Sequence, residues 1–163
     1  MKKNPSTKKK PIPILVSACL LGIKCRYDGA SKPHAAVLSH DRAFAYIPFC
    51  PECDGGLPTP RPPAECQPDG RVVNREGKDV TAAYQKGAAH AVTICKDFNI
   101  HYAILKSKSP SCGPTSRYDG SFTRTLIEQP GIAAQALREA GITIFSENDF
   151  DASKIVPFTN NER

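Results

Sequence analysis

Four short apolar runs, separated by two stretches of helical periodicity, constrain this chain more than anything else in it. Ile14-Leu-Val-Ser-Ala, Phe44-Ala-Tyr-Ile-Pro-Phe, Tyr102-Ala-Ile-Leu and Ile142-Thr-Ile-Phe-Ser are each too short for a helix and too continuously apolar for a half-exposed strand. They read as strands buried on both faces. Between the second and third, Ala82, Ala83, Gly87, Ala88, Ala91, Val92 and Cys95 recur at helical spacing, which predicts a helix over 80–98. Residues 131–140 predict another, closed by Gly141. Residues 33–42 are a third helical candidate. Strands alternating with helices imply an α/β fold, a single Rossmann-like three-layer domain around a mostly parallel sheet. Ligands of such folds bind beyond the carboxyl ends of the strands.

Three of those ends carry a cysteine. Ile14-Leu-Val-Ser-Ala runs into Cys19, the second strand runs into Cys50, and the third leads through Lys106-Ser-Lys-Ser-Pro-Ser to Cys112. In a parallel sheet all three fall on one edge. Pro110, Gly113 and Pro114 stiffen the loop around Cys112 while letting its backbone approach a ligand. Three converging thiolates suit a metal with an open position, whereas a fourth would close a structural zinc site. An iron–sulfur cluster on three cysteines likewise leaves one iron free. Scattered structural thiols are the alternative, and Cys95, on the apolar face of the long helix, fits that description. Cys50-Pro-Glu-Cys53 is a C-x-x-C spacing, open to a zinc or redox reading. Cys25 and Cys66 end no strand.

Composition narrows the partners. The chain has 163 residues and a formal net charge of +6, but five lysines lie among the first ten residues; without them 17 basic residues face 16 acidic ones. The charge therefore marks residues 1–11 as a disordered basic tail rather than a nucleic-acid surface, and no stable nucleic-acid partner is expected. No apolar run reaches membrane-spanning length, so no membrane partner is expected either. Seven cysteines, an odd number, fit a reducing cytoplasm better than a disulfide framework. The domain is expected over 12–150, with 151–163 a peripheral segment. A short repeat, Arg26-Tyr-Asp-Gly and Arg117-Tyr-Asp-Gly, follows two of the strand-end cysteines. It reads either as a ligand-presenting element or as a pair of similar turns.

Taken together, Ser17-Ala-Cys-Leu-Leu-Gly-Ile-Lys-Cys-Arg-Tyr-Asp-Gly29, Cys50-Pro-Glu52, Gly55-Gly-Leu-Pro-Thr-Pro-Arg-Pro-Pro-Ala-Glu65, Asp79-Val-Thr81, Lys106-Ser-Lys-Ser-Pro-Ser-Cys-Gly113 and Tyr118-Asp-Gly120 resemble the thiouracil desulfidase family. The resemblance spans about residues 12–148. It implies a 4Fe–4S cluster bound by Cys19, Cys50 and Cys112 with one open iron. It also implies an iron–sulfur-dependent, non-redox conversion of a thiolated pyrimidine, such as 4-thiouracil, to uracil and hydrosulfide. The partner would be a small thiolated base or nucleoside. A cluster-binding redox module without desulfidase activity is the competing reading. Cys53 and Cys66 stand where the family pattern has apolar residues, and Cys53 is close enough in sequence to compete as a fourth ligand.

Desulfuration needs a group to activate water. Glu52, two residues after Cys50, is the expected base, with Asp28 in reserve. Ser109 is expected to hydrogen-bond the pyrimidine or relay a proton, and Ser111 to satisfy the loop or touch substrate. Arg61 is expected either to reach a ring carbonyl or to pair with Glu65, whose own expected role is to bind backbone amides of the proline-rich segment. Lys106 and Lys108 are candidates to offset the charge of a cluster.

Overall fold

The computed structural model describes residues 9–40 and 42–158, so most of the expected basic tail, residue 41 and residues 159–163 lie outside the described residues. In chain order the elements are β1 (Ile12–Ser17), a 3-10 turn (Ala18–Leu21), α1 (Ala35–Leu38), β2 (Phe44–Phe49), α2 (Pro51–Asp54), β3 (Ala64–Cys66), β4 (Val72–Asn74) and α3 (Thr81–Asp97). There follow β5 (Tyr102–Leu105), β6 (Arg117–Tyr118), β7 (Leu126–Ile127), α4 (Ile132–Glu139), β8 (Thr143–Ser146) and a 3-10 turn (Ala152–Lys154).

The four apolar runs form one parallel sheet in the order β2-β1-β5-β8. β1 and β5 are central, and Ile14, Leu15, Val16, Ala103, Ile104 and Leu105 are completely buried. That is why these runs are apolar without alternation: each strand has a core on both sides. Leu15, Ala103 and Leu105 face Ala91 and Cys95 of α3 and Ala134 and Leu137 of α4. Ile14, Val16 and Ile104 face the other way, onto Leu20, Val37, Phe145 and Ile155. The second layer is thus built from the 3-10 turn, α1 and the chain after residue 150. Ile155 is buried there, within the segment expected to be peripheral.

The helix expected over 33–42 shrinks to the single turn of α1. Its ends explain the difference. His34, at the N-terminal cap, makes no side-chain cap bond. The Ser39 hydroxyl and His40 Nδ1 both turn back onto the Ala36 carbonyl, at 2.9 Å each. Side chains that compete in this way for backbone groups halt helix propagation. By contrast α3 runs nearly its expected length.

Two small antiparallel ribbons stand outside the sheet. β3 and β4 pair as one, β6 and β7 as the other. Among the described residues no helix is long and apolar enough to cross a membrane.

Candidate metal centre and active site

The register of the sheet sets the level at which each chain leaves it. Ser17 pairs with Phe49, and Val16 with Ile104, so β1, β2 and β5 end side by side. Cys19 follows in the 3-10 turn, Cys50 sits between β2 and α2, and Cys112 lies in the loop after β5. All three line one cavity of about 440 Å³, and Cys25 lines it with them. The Cys50 thiol donates to the Cys25 carbonyl at 3.7 Å.

The surroundings of Cys25, Cys50 and Cys112 disfavour ionisation. Contact with the Cys19 thiol, together with burial, pushes Cys25 up to about 11, although Cys50 acts in the opposite sense. Contact with Cys25 and then burial raise Cys50 further. Burial pushes Cys112 up to about 12, with the Ser17 and Ser111 hydroxyls opposing. A cluster of buried thiols without a cation among them resists ionisation; a metal would supply the missing positive charge. Among the described residues no three His, Cys, Asp or Glu side chains converge tightly enough to hold a single ion. Thiols spread around a cavity wall suit a multi-iron cluster, whose ligands bind at separate corners.

Cys53 does not line the cavity, although its thiol shares the Cys25 carbonyl with Cys50, at 3.8 Å. Its sulfur also lies 3.3 Å from Thr59 Oγ1 and 3.7 Å from Arg61 Nη1. Cys95 is buried in the core behind the sheet, and Cys66 donates to the Pro110 carbonyl.

Beside the thiols lies a carboxylate held from two sides. Glu52 sits in the first turn of α2, behind Pro51, which starts the helix with its own φ already set. Arg61 Nε donates to Glu52 Oε2 at 2.7 Å, in an ion pair whose side chains are 5% and 12% exposed. Arg61 does not pair with Glu65. Its other nitrogens reach the Cys25 carbonyl at 2.9 Å, the Pro58 carbonyl at 3.1 Å and Thr59 Oγ1 at 3.0 Å. The proline-rich segment thus delivers one guanidinium that ties Cys25, Cys53 and Glu52 together.

Ser111 donates to the other oxygen, Glu52 Oε1, at 3.1 Å. Ser109 stands one step further back: its hydroxyl is 3.1 Å from Ser111 Oγ and accepts from the backbone N–H groups of Ser111 and Cys112. Ser109 thus holds the loop backbone, and Ser111 meets the carboxylate. Asp28 points elsewhere, pairing with Arg26 and accepting from Ala30 N–H, and does not line the cavity.

The loop itself is tied at both ends. Lys106 N–H donates to Ser17 Oγ at 3.0 Å. Buried Glu147 accepts from Ser107 N–H and Ser107 Oγ, both at 2.8 Å, and pairs with Lys106 Nζ at 2.9 Å. Lys106 is therefore already neutralised, while Lys108 is exposed at the rim. At the far end α4 has no side-chain cap. Its opening amides are taken by the loop: Ile132 N–H donates to Pro110 O, and Ala133 and Ala134 N–H both donate to Ser111 O. A Cβ on Gly131 would overlap that Ser111 carbonyl.

Glycine also allows α2 to meet α3. A methyl at Gly87 would overlap the Pro51 carbonyl, and one at Gly55 the Ala83 carbonyl. The small residues of α3 thus bring a backbone, rather than side chains, against the turn that carries Glu52.

With this geometry in view, comparison with known proteins is decisive. Residues 14–149 match the model of a family described as 2-thiouracil desulfurase. The chain belongs to the 2-thiouracil desulfurase family. It is 38% identical over 150 residues to the uncharacterized protein YbbK of Bacillus subtilis (strain 168), covering 85% of this chain and 97% of that one. A solved structure of the [4Fe-4S]-dependent thiouracil desulfidase TudS superposes with a TM-score of 0.79 at 44% identity, over 85% of this chain and 92% of the other.

Several residues of this 2-thiouracil desulfurase chain escaped the reading of its sequence. Glu147 follows the last strand, where a polar residue is unremarked. Tyr84 is 1% exposed and lines the cavity. Burial first, and then the Glu52 charge beside it, raises its pKa well above the usual phenol value. It is the one tyrosine on the small-residue face of α3, a signal that was available. The two copies of the Arg-Tyr-Asp-Gly repeat form similar turns beside the cavity. Asp28 and Asp119 each accept from the N–H two residues on, making similar turns, and Tyr27 and Tyr118 both line the cavity.

Proposed function

We propose that this protein removes the sulfur of a thiolated pyrimidine and replaces it with the oxygen of water, with no net change of oxidation state. Cys19, Cys50 and Cys112 would hold a 4Fe–4S cluster as its three protein ligands. When bound, such a cluster supplies an iron with an open position, a thiophilic Lewis acid for a thiocarbonyl sulfur. The observation that carries the reading is the placement of Glu52 on the same cavity as those thiols, with one oxygen on Arg61 and the other on Ser111.

The remaining chemistry falls to the chain. Arg61 holds Oε2 and so fixes the orientation of the carboxylate. Oε1 takes a proton from water as oxygen attacks the ring carbon. Ser111 Oγ gives up its bond to Oε1 as that oxygen is protonated. Phe49 and Tyr84 bound the cavity with apolar surface and limit water to what the reaction uses. The atoms balance: water provides the carbonyl oxygen, one of its protons leaves with the sulfur as hydrosulfide, and the other passes from Oε1 to solvent. Cys53, engaged by Thr59 and Arg61 outside the cavity, is not the fourth ligand in this reading.

The test is anaerobic reconstitution with iron and sulfide, followed by turnover of 4-thiouracil and 2-thiouracil, read as loss of their near-ultraviolet absorbance. Sulfide release from either ring supports the reading and identifies the sulfur position. A stable cluster without turnover of either ring sinks it and favours a cluster-binding redox module.

A further inference from the structure

The cavity contains charge and thiols in plenty but few flat apolar surfaces on which a planar ring could rest. Phe49 and Tyr84 are sunk into the packed core, 3% and 1% exposed. Tyr27, 43% exposed, and Tyr118 also line the cavity, and each carries a polar hydroxyl. Phe122 differs in being wholly apolar and in the backbone that carries it. It lines the cavity from the tip of the hairpin joining β6 to β7, half-buried.

The hairpin tip is constructed to hold that ring in place. Phe122 has φ 58°, in the left-handed region that a bulky side chain rarely occupies. Arg124, two residues on, has φ 63° and lines the same cavity. The conformation is held from below by Glu65, a buried carboxylate in β3. It accepts from the backbone N–H groups of Gly120 and Phe122, at 3.0 Å each. A Cβ on Gly120 would press on the Cys66 carbonyl, so the tip lies directly on β3. Arg75, also lining the cavity, places its guanidinium 5.6 Å from the Phe122 ring centroid. A buried acid that holds two amides of the hairpin tip, and a bulky residue kept at positive φ on the cavity wall, together indicate a function for that ring.

We propose that Phe122 is the platform on which the substrate ring stacks, and that it lets the protein select an aromatic pyrimidine over a saturated ring with the same carbonyl and N–H pattern. Glu65 is the positioning residue for it. The proposal rests on the desulfidase reading and adds the group that selects the ring.

Uracil and 5,6-dihydrouracil separate the two ideas, because they share polar edges and differ in planarity. Binding of each to the reconstituted holoenzyme is measured by calorimetry, for wild type, F122L, F122Y and E65Q. The expected result is that wild type prefers uracil and that F122L loses about 5- to 100-fold in uracil affinity, the range for losing one base–aromatic stack, with dihydrouracil unchanged. F122Y retains the preference, and E65Q loses part of it. In turnover, F122L raises KM for the thiolated ring more than it lowers kcat. Should F122L not fold, as judged by circular dichroism, F122M removes the ring while keeping apolar volume. Equal weakening of both ligands, or unchanged uracil binding in the variant without the ring, overturns the proposal while leaving the desulfidase reading intact. Wild-type holoenzyme that binds neither ring and turns over no thiouracil overturns both.

Discussion

Ser111 and Glu52 lie 59 residues apart in the chain, and the Ser111 hydroxyl donates to Glu52 Oε1 at 3.1 Å. The contact joins two strand ends: Glu52 comes from the turn after β2 and Ser111 from the loop after β5. It couples the proposed base to the loop that carries the third thiol. Removing the carboxylate in E52Q is expected to lower kcat about 10²- to 10⁴-fold, the usual contribution of a general base. S111A should fall less, because Arg61 still orients the acid. S109A should lose cluster retention along with rate, since its hydroxyl accepts from Cys112 N–H. Single-turnover rates and iron content on the same samples separate these outcomes.

The thiols should divide sharply. C19A, C50A and C112A are expected to lose the cluster, measured as iron and acid-labile sulfide per chain after anaerobic reconstitution. C53A and C95A should keep it, because Cys53 is engaged by Thr59 and Arg61 and Cys95 is sealed behind the sheet. Loss of iron in C53A would show that Cys53 turns into the cavity on loading.

Gly87→Ala tests the backbone contact between α3 and α2. The added methyl overlaps the Pro51 carbonyl, which no side-chain rotation can relieve. A cost of about 1–3 kcal/mol is expected, typical of overpacking, seen as a lower urea midpoint at unchanged slope. Because Glu52 is the residue after Pro51, the same variant should lose activity beyond its loss of stability. A rate unchanged at temperatures where it remains folded would break that link.

Glu147 gives the chain an acid-sensitive tie. Burial alone would raise its pKa, but Lys106 and the Ser107 amide and hydroxyl outweigh it, and the net shift is downward. A carboxylate depressed in the folded state stabilises fully above its unfolded pKa of about 4.3. That contribution is lost as pH falls through the lower folded value. Urea unfolding from about pH 6 down to about pH 3 should show wild type losing stability that E147Q has already lost at neutral pH, so the two curves converge in acid. Curves that stay parallel would remove Glu147 from the account.

What could be read beforehand was whatever local pattern decides. Buried strands are continuous apolar runs, so β1, β2, β5 and β8 were visible, and with them the three cysteines at their ends. The length of α3 followed from its spacing of small residues. What depended on long-range partners was not visible. Arg61 is visible as a side chain in a rigid frame, but the acid the sequence suggests for it is Glu65, and only the fold places Glu52 at 2.7 Å instead. Ser109 and Ser111 flank the same proline, and only the position of α2 determines which meets the acid. Glu65 was expected to hold backbone amides and does, but those of the β6–β7 hairpin.

The opening of α4 against the cysteine loop makes these two segments one cooperative unit. Ala133 and Ala134 cannot release their N–H groups to solvent without freeing the Ser111 carbonyl, and with it the residue before Cys112. Exchange of those two amides with deuterium therefore reports on a thiol more than twenty residues upstream. A chain that has taken up its cluster should slow them selectively, giving a loading signal that needs neither colour nor turnover.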